Sequence, residues 1–164
     1  MVGLFWADAD GCWLGAPPGA GGSAVRLTDD GLLAVGETRD AWRWSQVSEV
    51  SVPDAPSRSH LRRRMRKAAD LAATMSGFGG PEAAPRMTVR VTHAEGASEW
   101  PVSSAAAAAY THREVELSHQ LLEAFASGAL RPSLITDWWR TADAAANLRS
   151  HARETLLEEW AGRA

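Results

Sequence analysis

The sequence predicts an α+β protein, with antiparallel strands dominating the first hundred residues and helices dominating the remainder. Apolar residues alternate with period two before residue 56 and again between residues 87 and 102. Turn sequences rich in Gly and Asp separate these alternating runs. Beyond residue 103 the apolar period becomes helical. A chain of 164 residues is long enough for one domain with its own core and an appendage.

Four or five short strands are expected before residue 56. "DADG" (Asp8–Gly11) and "TDDG" (Thr28–Gly31) are typical of tight turns between antiparallel strands. Pro53 and Pro56 then close the run. The alternating apolar positions are Val25 and Leu27, Leu33 and Val35, Trp42 and Trp44, and Val50 and Val52.

The next segment, residues 58–75, has the period of a helix and contains a dense cluster of positive charge. Its apolar stripe is Leu61, Met65, Ala68, Ala72 and Met75. Five of the six residues from position 62 to position 67 are cationic: Arg62, Arg63, Arg64, Arg66 and Lys67. The glycine-rich run that follows, residues 76–85, is predicted to be a flexible loop.

Strands resume at residue 87 and give way to helices. Met87, Val89 and Val91 alternate with polar residues, "HAEGAS" turns the chain, and Trp100 and Val102 return it. From "SSAAAAAY" onward we expect a helix with Leu117, Leu121, Leu122, Ala124 and Phe125 on its apolar side, ending at Gly128. A last helical block is expected from Ser133 to Trp160, with a break near Thr141.

This order of elements resembles the bacterial pleckstrin-homology-like (PH-like) domains of the actinobacterial type. The segments that carry the resemblance are "VRLTDDGLLAVGE", "WRWSQVSEVSV", "MTVRVTHAEGASEWPVS" and the helix around "VELSHQLLEAF". The resemblance implies a PH-like antiparallel β-barrel or sandwich of about seven strands, closed by a C-terminal helix. It also implies a binding or scaffolding role. The inserted basic helix and the helices beyond residue 131 are departures from that pattern.

On this basis the chain divides into a PH-like domain, residues 1–130, and a C-terminal helical extension, residues 131–164. The extension carries two adjacent tryptophans, Trp138 and Trp139, which point about 100° apart on a helix. Either both pack within the monomer, or one packs on the sheets and the other meets a partner.

Several kinds of chemistry lack their required residues. "GAPPGAGGS" (Gly15–Ser23) has Gly22 where a phosphate-binding loop needs lysine, and the residues that follow it are typical of a strand. "DADG" lacks the bidentate glutamate of a calcium loop, since Pro17 stands at that position. Cys12 is the single cysteine, and we interpret it as an inert packing residue. No nucleotide or other cofactor is predicted.

One metal hypothesis remains, because His112, Glu116 and His119 fall on one face of a helix. A second Glu-x-x-His motif is absent, and the other histidines are scattered along the sequence. A solvated helix face is therefore the preferred interpretation, and a small metal-dependent enzyme is kept as a remote alternative.

The charge distribution points to binding rather than catalysis. The chain has a net charge of −3, but residues 57–92 contain eight Arg and Lys against two acids. We predict a non-catalytic cytoplasmic adaptor that binds an acidic protein partner through the basic helix and the tryptophans of the extension. A peripheral module for anionic membranes is the alternative. Nucleic acid is not expected, because the patch is small and lacks interleaved aromatic residues. The N-terminus lacks the features of a signal peptide.

Overall fold

The computed structural model describes residues 1–19, 22–36, 38–57, 85–106, 109–141 and 148–164. Within these ranges it contains eight antiparallel strands in two sheets and three α-helices, so the predicted α+β class is confirmed. The strands are β1 (Phe5–Asp8), β2 (Gly11–Leu14), β3 (Ala24–Thr28), β4 (Gly31–Val35), β5 (Arg39–Arg43), β6 (Val47–Ser51), β7 (Arg86–His93) and β8 (Gly96–Ser103). The helices are α1 (His112–Ser127), α2 (Ser133–Thr141) and α3 (Ser150–Ala161).

The first sheet is an antiparallel meander in the order β1-β2-β3-β4-β5. Both predicted turns are confirmed, since Asp8 pairs with Gly11 and Thr28 pairs with Gly31 across two-residue loops. Because the register is fixed at these turns, alternate residues of each strand point to the same side of the sheet. Val25 and Leu27 are buried on the core side, while Arg26 lies on the outer side.

The described residues before position 56 hold six strands, more than the four or five expected. The alternation of Trp42 and Trp44 also does not mark one continuous strand. β5 ends at Arg43, and a 3-10 turn of three residues begins at Trp44. The Trp44 indole N–H donates to the Thr28 carbonyl at 2.8 Å, which holds the chain at the corner between the two sheets.

The second sheet has the order β6-β7-β8, and its β7–β8 hairpin matches the prediction. The two sheets approach each other where the Ala16 N–H donates to the Ser103 carbonyl at 2.8 Å. No described strand of one sheet pairs with a strand of the other, so the described sheets do not close into a barrel. Of the two forms expected, a barrel or a sandwich, the described residues therefore do not form the barrel.

Helix α1 begins at His112, later than predicted. Thr111 and Glu114 form a capping box, in which the Glu114 N–H donates to Thr111 Oγ1 and the Thr111 N–H donates to the Glu114 carboxylate. Of the preceding alanine-rich run, Ala105, Ala106 and Ala109 are not helical, whereas residues 107–108 lie outside the described ranges. Alanine has high helix propensity but no side chain that can satisfy the first free N–H groups, so the cap determines where the helix begins.

The rest of α1 agrees with the prediction. Gly128 ends the helix with φ of 78°, a left-handed conformation that glycine adopts without strain. The buried face packs against β6, and the Phe125 ring meets Phe5 edge-on with ring centroids 6.1 Å apart. The predicted apolar positions are all buried: Leu117, Leu121, Leu122, Ala124 and Phe125.

Helices α2 and α3 form the C-terminal extension. The predicted helical block is interrupted, because Leu148 and Arg149 are not helical and α3 begins at Ser150, whereas residues 142–147 lie outside the described ranges. Helix α2 contacts β1 and β2, and α3 lies against α1. Buried Leu157 and Trp160 join α3 to the core. The extension therefore packs on the domain rather than standing apart from it.

The predicted basic helix, residues 58–75, lies outside the described residues, as do residues 76–84 of the predicted loop. Pro85 is described and leads directly into β7. Among the helices in the described ranges, none combines the length and the apolar character that crossing a bilayer requires.

Candidate functional site

A cleft of about 600 Å³ lies between β6 and the second half of α1. The strand contributes four consecutive residues and the helix contributes one face: Ser48, Glu49, Val50, Ser51, His119, Glu123, Ala126 and Ser127. A cleft that bordered one face of a strand would contact only alternate residues. Contact with four in succession means that the cleft runs along the edge of β6.

The edge of β6 that borders this cleft has no partner strand among the described residues. β6 is the terminal strand of its sheet and pairs only with β7. The pairing shifts register between Val47 and Glu49, as in a β-bulge, and Ser48 and Glu49 are both exposed. An edge strand of this kind presents backbone N–H and C=O groups that another extended chain can pair with.

His119 fixes one end of the cleft. Its Nε2 accepts a hydrogen bond from the Val52 N–H at 3.0 Å, just beyond the end of β6. The ring also forms a hydrogen bond with the Val115 backbone. Burial lowers the pKa of His119 below the ordinary value, against smaller opposing effects of Val115 and of the Glu49 carboxylate. A neutral imidazole suits this position, because only an unprotonated Nε2 can accept from Val52.

The cleft is acidic. Glu49 and Glu123 are exposed carboxylates on opposite walls, one on the strand and one on the helix. Neither forms an ion pair with any residue in the described part of the chain. The remaining polar groups of the lining are serine hydroxyls and the imidazole. The electrostatics of this cleft therefore favour cationic side chains.

Of the binding residues predicted from the sequence, the structure describes only the two tryptophans. Arg62, Arg63, Arg64, Arg66 and Lys67 fall outside the described residues. Trp138 and Trp139 on α2 are half-buried against the core, and neither lines the cleft. The Trp138 ring meets the buried Trp160 ring edge-on, with centroids 5.6 Å apart.

The residues weighed for metal binding do not gather into a site. Within the described ranges, no group of three or more His, Cys, Asp and Glu side chains is placed to hold an ion. Of the three helical residues considered, His112 and Glu116 are exposed, whereas His119 is half-buried and bonded to Val52. The solvated-face interpretation is therefore wrong for His119.

Two further residues weighed for chemistry have structural surroundings. Asp8 of "DADG" accepts from the Trp6 indole N–H at 3.0 Å and from the Asp10 and Gly11 N–H groups. Its oxygens therefore organise the β1–β2 turn. Cys12 is buried in β2, and burial raises the pKa of its thiol. Such a thiol is poorly suited to act as a nucleophile.

Sequence reasoning missed the cleft. The signal that was available is the pattern "VSEVS" in β6, in which exposed Ser48 and Glu49 lie between buried Val47 and Val50. That pattern departs from strict alternation, as expected where a strand is irregular and lies at an edge. The helix that forms the other wall lies about 70 residues later, so the spacing of the sequence alone does not bring the two together.

Comparison with known proteins adds no relative: no protein-family model matches the chain, and searches of curated proteins and of solved structures find no match.

Proposed function

We propose that this protein is a non-catalytic binding module that holds an extended, basic peptide segment of a partner protein in the cleft between β6 and α1. The observation that carries the proposal is the edge of β6, which has no partner strand among the described residues and lies beside a cleft whose two charged walls are Glu49 and Glu123. A peptide that adds to a sheet edge gains backbone hydrogen bonds, and its alternate side chains enter the neighbouring groove. Lysine or arginine at those positions would meet the two carboxylates.

Ion pairs and backbone hydrogen bonds would contribute differently to the affinity for such a peptide. Each ion pair to an exposed carboxylate contributes about 0.2–1 kcal/mol. Together, Glu49 and Glu123 would therefore change affinity by about 2- to 30-fold. The backbone pairing along Val47–Ser51 does not depend on the sequence of the peptide and would supply the remaining binding free energy. The cleft is thus expected to select for an extended conformation first and for positive charge second.

The fold supports the same class of function. We propose that the two sheets and α1 are an open variant of the PH-like arrangement, in which α1 covers the end of the sheets through Phe125. The order of strands, hairpin and closing helix is the feature that supports this assignment. An adaptor or scaffold role is what this resemblance implies, and we propose that the protein performs it in the cytoplasm.

The proposal can be tested with two capped pentapeptides, one alternating lysine with valine and one alternating glutamate with valine. Each is titrated into the full chain labelled with ¹⁵N, and amide shifts are followed by NMR. We expect the lysine peptide to move the signals of Val47–Ser51 and of His119, with an affinity that falls as salt is raised. The glutamate peptide should bind more weakly.

Matched variants test whether the carboxylates of Glu49 and Glu123 contribute to peptide binding. The double variant Glu49→Gln and Glu123→Gln should weaken binding of the lysine peptide by about 2- to 30-fold. Glu95→Gln is the control, since Glu95 is exposed in the turn between β7 and β8 and does not line the cleft. If the double variant binds the lysine peptide as tightly as the wild type does, the electrostatic part of the proposal is contradicted. If the peptide shifts amide signals only of residues outside the cleft, the cleft is not the binding site.

The basic segment supports a second candidate function. Five cations within residues 62–67 would suit an acidic partner surface or an anionic membrane. Replacing Arg62, Arg63, Arg64, Arg66 and Lys67 by Gln should abolish sedimentation with vesicles of anionic lipid if the membrane is the target. If the wild-type protein sediments equally with neutral and with anionic vesicles, an anionic membrane is excluded as the target. An acidic protein surface is then the remaining candidate partner.

A further inference from the structure

Arg26 is a half-buried arginine that makes no hydrogen bond or ion pair with any other residue in the described ranges. Its Nε is completely covered and has no acceptor, and it is the one buried side-chain nitrogen or oxygen in those ranges left unsatisfied. A guanidinium has five N–H donors, and leaving a covered donor unpaired is costly. Arg26 is therefore a cation that the described chain holds in place without neutralising.

The position of this guanidinium is built by two neighbouring residues. Trp13 is the cross-strand partner of Arg26, and the guanidinium carbon lies 5.7 Å from the centroid of the indole ring. On β2, Gly11 leaves the space that the guanidinium occupies. A Cβ at Gly11 would lie 2.8 Å from Arg26 Nε, and its φ of 141° also disfavours other residues. The planar group is thus fixed in orientation before any ligand arrives.

The guanidinium borders a pocket of about 550 Å³ on the outer side of the first sheet. Trp13, Pro17 and Pro18 supply flat apolar walls, and Ala9 adds to them. Asp10 contributes a single carboxylate to the lining, and Arg26 contributes the single cation. A fixed planar fork of donors beside apolar rings is a combination suited to a planar anion with an apolar body.

We propose that this pocket binds a carboxylate attached to an apolar group, with the carboxylate on Arg26 and the apolar group against Trp13, Pro17 and Pro18. A carboxylate is planar and accepts two parallel N–H bonds from one guanidinium, here from the terminal N–H groups because Nε is covered. Asp10 in the same pocket disfavours a doubly charged phosphate, because the second negative charge would be repelled. The site is on the first sheet and does not depend on the function proposed for the β6 cleft.

Two sources could supply this chemistry: a small organic acid, or the C-terminal carboxylate of a peptide that ends in an apolar residue. The probes are 4-methylpentanoate for the first source and acetyl-alanyl-leucine for the second. Each is compared with its own amide, which keeps the shape and removes the charge. Because Arg26 Nε is covered, its N–H proton should exchange slowly enough to be followed by NMR, together with the Trp13 indole N–H.

We expect at least one acid to shift the Arg26 Nε–H and Trp13 indole signals, while the corresponding amide binds at least about tenfold more weakly. Arg26→Gln should lose at least about tenfold in affinity for that acid. Arg39→Gln removes the same charge from an exposed position on β5 of the same sheet and should bind like the wild type. Arg26→Lys keeps the charge without the fork, so it should bind the acid more weakly while preserving the fold.

The pattern among the probes distinguishes the sources. Binding of acetyl-alanyl-leucine alone would identify a peptide terminus, and binding of both acids would identify the apolar carboxylate as sufficient. The proposal is overturned if neither acid moves the Arg26 signal. It is also overturned if acid and amide bind equally, or if Arg26→Lys and Arg39→Gln bind the acid equally well.

Discussion

Replacing Arg153 by methionine should destabilise the protein far more than removing any exposed charge. The Glu114 side chain is fully buried, and its carboxylate accepts from Arg153 Nε and from the Thr111 N–H. The Arg153 side chain is 13% exposed, and it also donates to the Leu148 carbonyl at 2.7 Å. Arg153→Met therefore leaves a buried carboxylate without its cation.

The size of the expected loss in unfolding free energy follows from the burial of this ion pair. Removing one partner of a buried ion pair costs about 3–5 kcal/mol, because the remaining charge is uncompensated. The matched control is Arg113→Met on α1, whose side chain is 46% exposed and pairs with Glu116 and Glu158 at the surface. Surface pairs of this kind contribute much less to stability, because water screens their charges. The two variants lose the same charge, so the difference between them measures the burial of the Glu114 pair together with the Leu148 hydrogen bond.

A double-mutant cycle gives the decisive assay. Free energies of unfolding are measured by urea denaturation at pH 7 for Arg153→Met, Glu114→Gln and the pair together. The double variant should be more stable than Arg153→Met alone, since it removes the unpaired charge and glutamine can still accept from Thr111. The reasoning is refuted if Arg153→Met costs no more than Arg113→Met, or if the two single effects simply add.

Two further predictions concern α1. His119 has a lowered pKa in the folded state, so the folded protein binds the proton less well than the unfolded chain does. Its contribution to stability should be complete above about pH 6.5 and should be lost as pH falls through the lowered pKa. His119→Gln keeps an acceptor for the Val52 N–H but does not titrate. Urea denaturation between pH 5 and 7.5 should show that the unfolding free energy of the wild type falls more steeply with acid than that of the variant. Parallel pH dependence of the two free energies would contradict this. Thr111→Ala removes the acceptor of the Glu114 N–H and should cost about 1–2 kcal/mol, whereas Thr111→Ser should cost much less; equal losses in both would show that the hydroxyl is not what matters.

Local signals account for the parts of the fold that the sequence predicted. Two-residue turns at Asp8–Gly11 and Thr28–Gly31 set the register of the first sheet, and the alternation in β7 and β8 identified the second hairpin. The end of α1 at Gly128 could be predicted for the same reason, because the left-handed cap is a property of one residue. Each of these features depends on neighbours within a few positions.

The start of α1 shows where the weighing of local signals failed. The alanine-rich run suggested a helix from residue 103, but Thr111 and Glu114 have the spacing of a capping box and mark the true beginning. Both signals are present in the sequence, and the cap outweighs the helix propensity of alanine. The hydrogen bonds at the helix terminus decide the boundary because a buried end without partners is costly.

Both candidate sites depend on pairings that no local pattern specifies. The β6 cleft needs α1 to lie beside the edge of β6 that no described strand pairs with, and β6 and α1 are separated by β7 and β8 in the chain. The carboxylate pocket needs Trp13 opposite Arg26, and this pairing spans the long connection between β2 and β3. Periodicity predicts which residues face outward, but it does not predict which outward residues meet.

Amide hydrogen exchange of β6 tests the central claim most directly. The full chain is saturated with the capped lysine–valine pentapeptide, and exchange at Val47–Ser51 is compared with that of the free protein. Strand addition predicts slower exchange at alternate amides of β6, because only those N–H groups point toward the new strand. The amides of β8 should be unaffected. Unchanged exchange throughout β6 at saturation would contradict the account, whatever the affinity of the peptide.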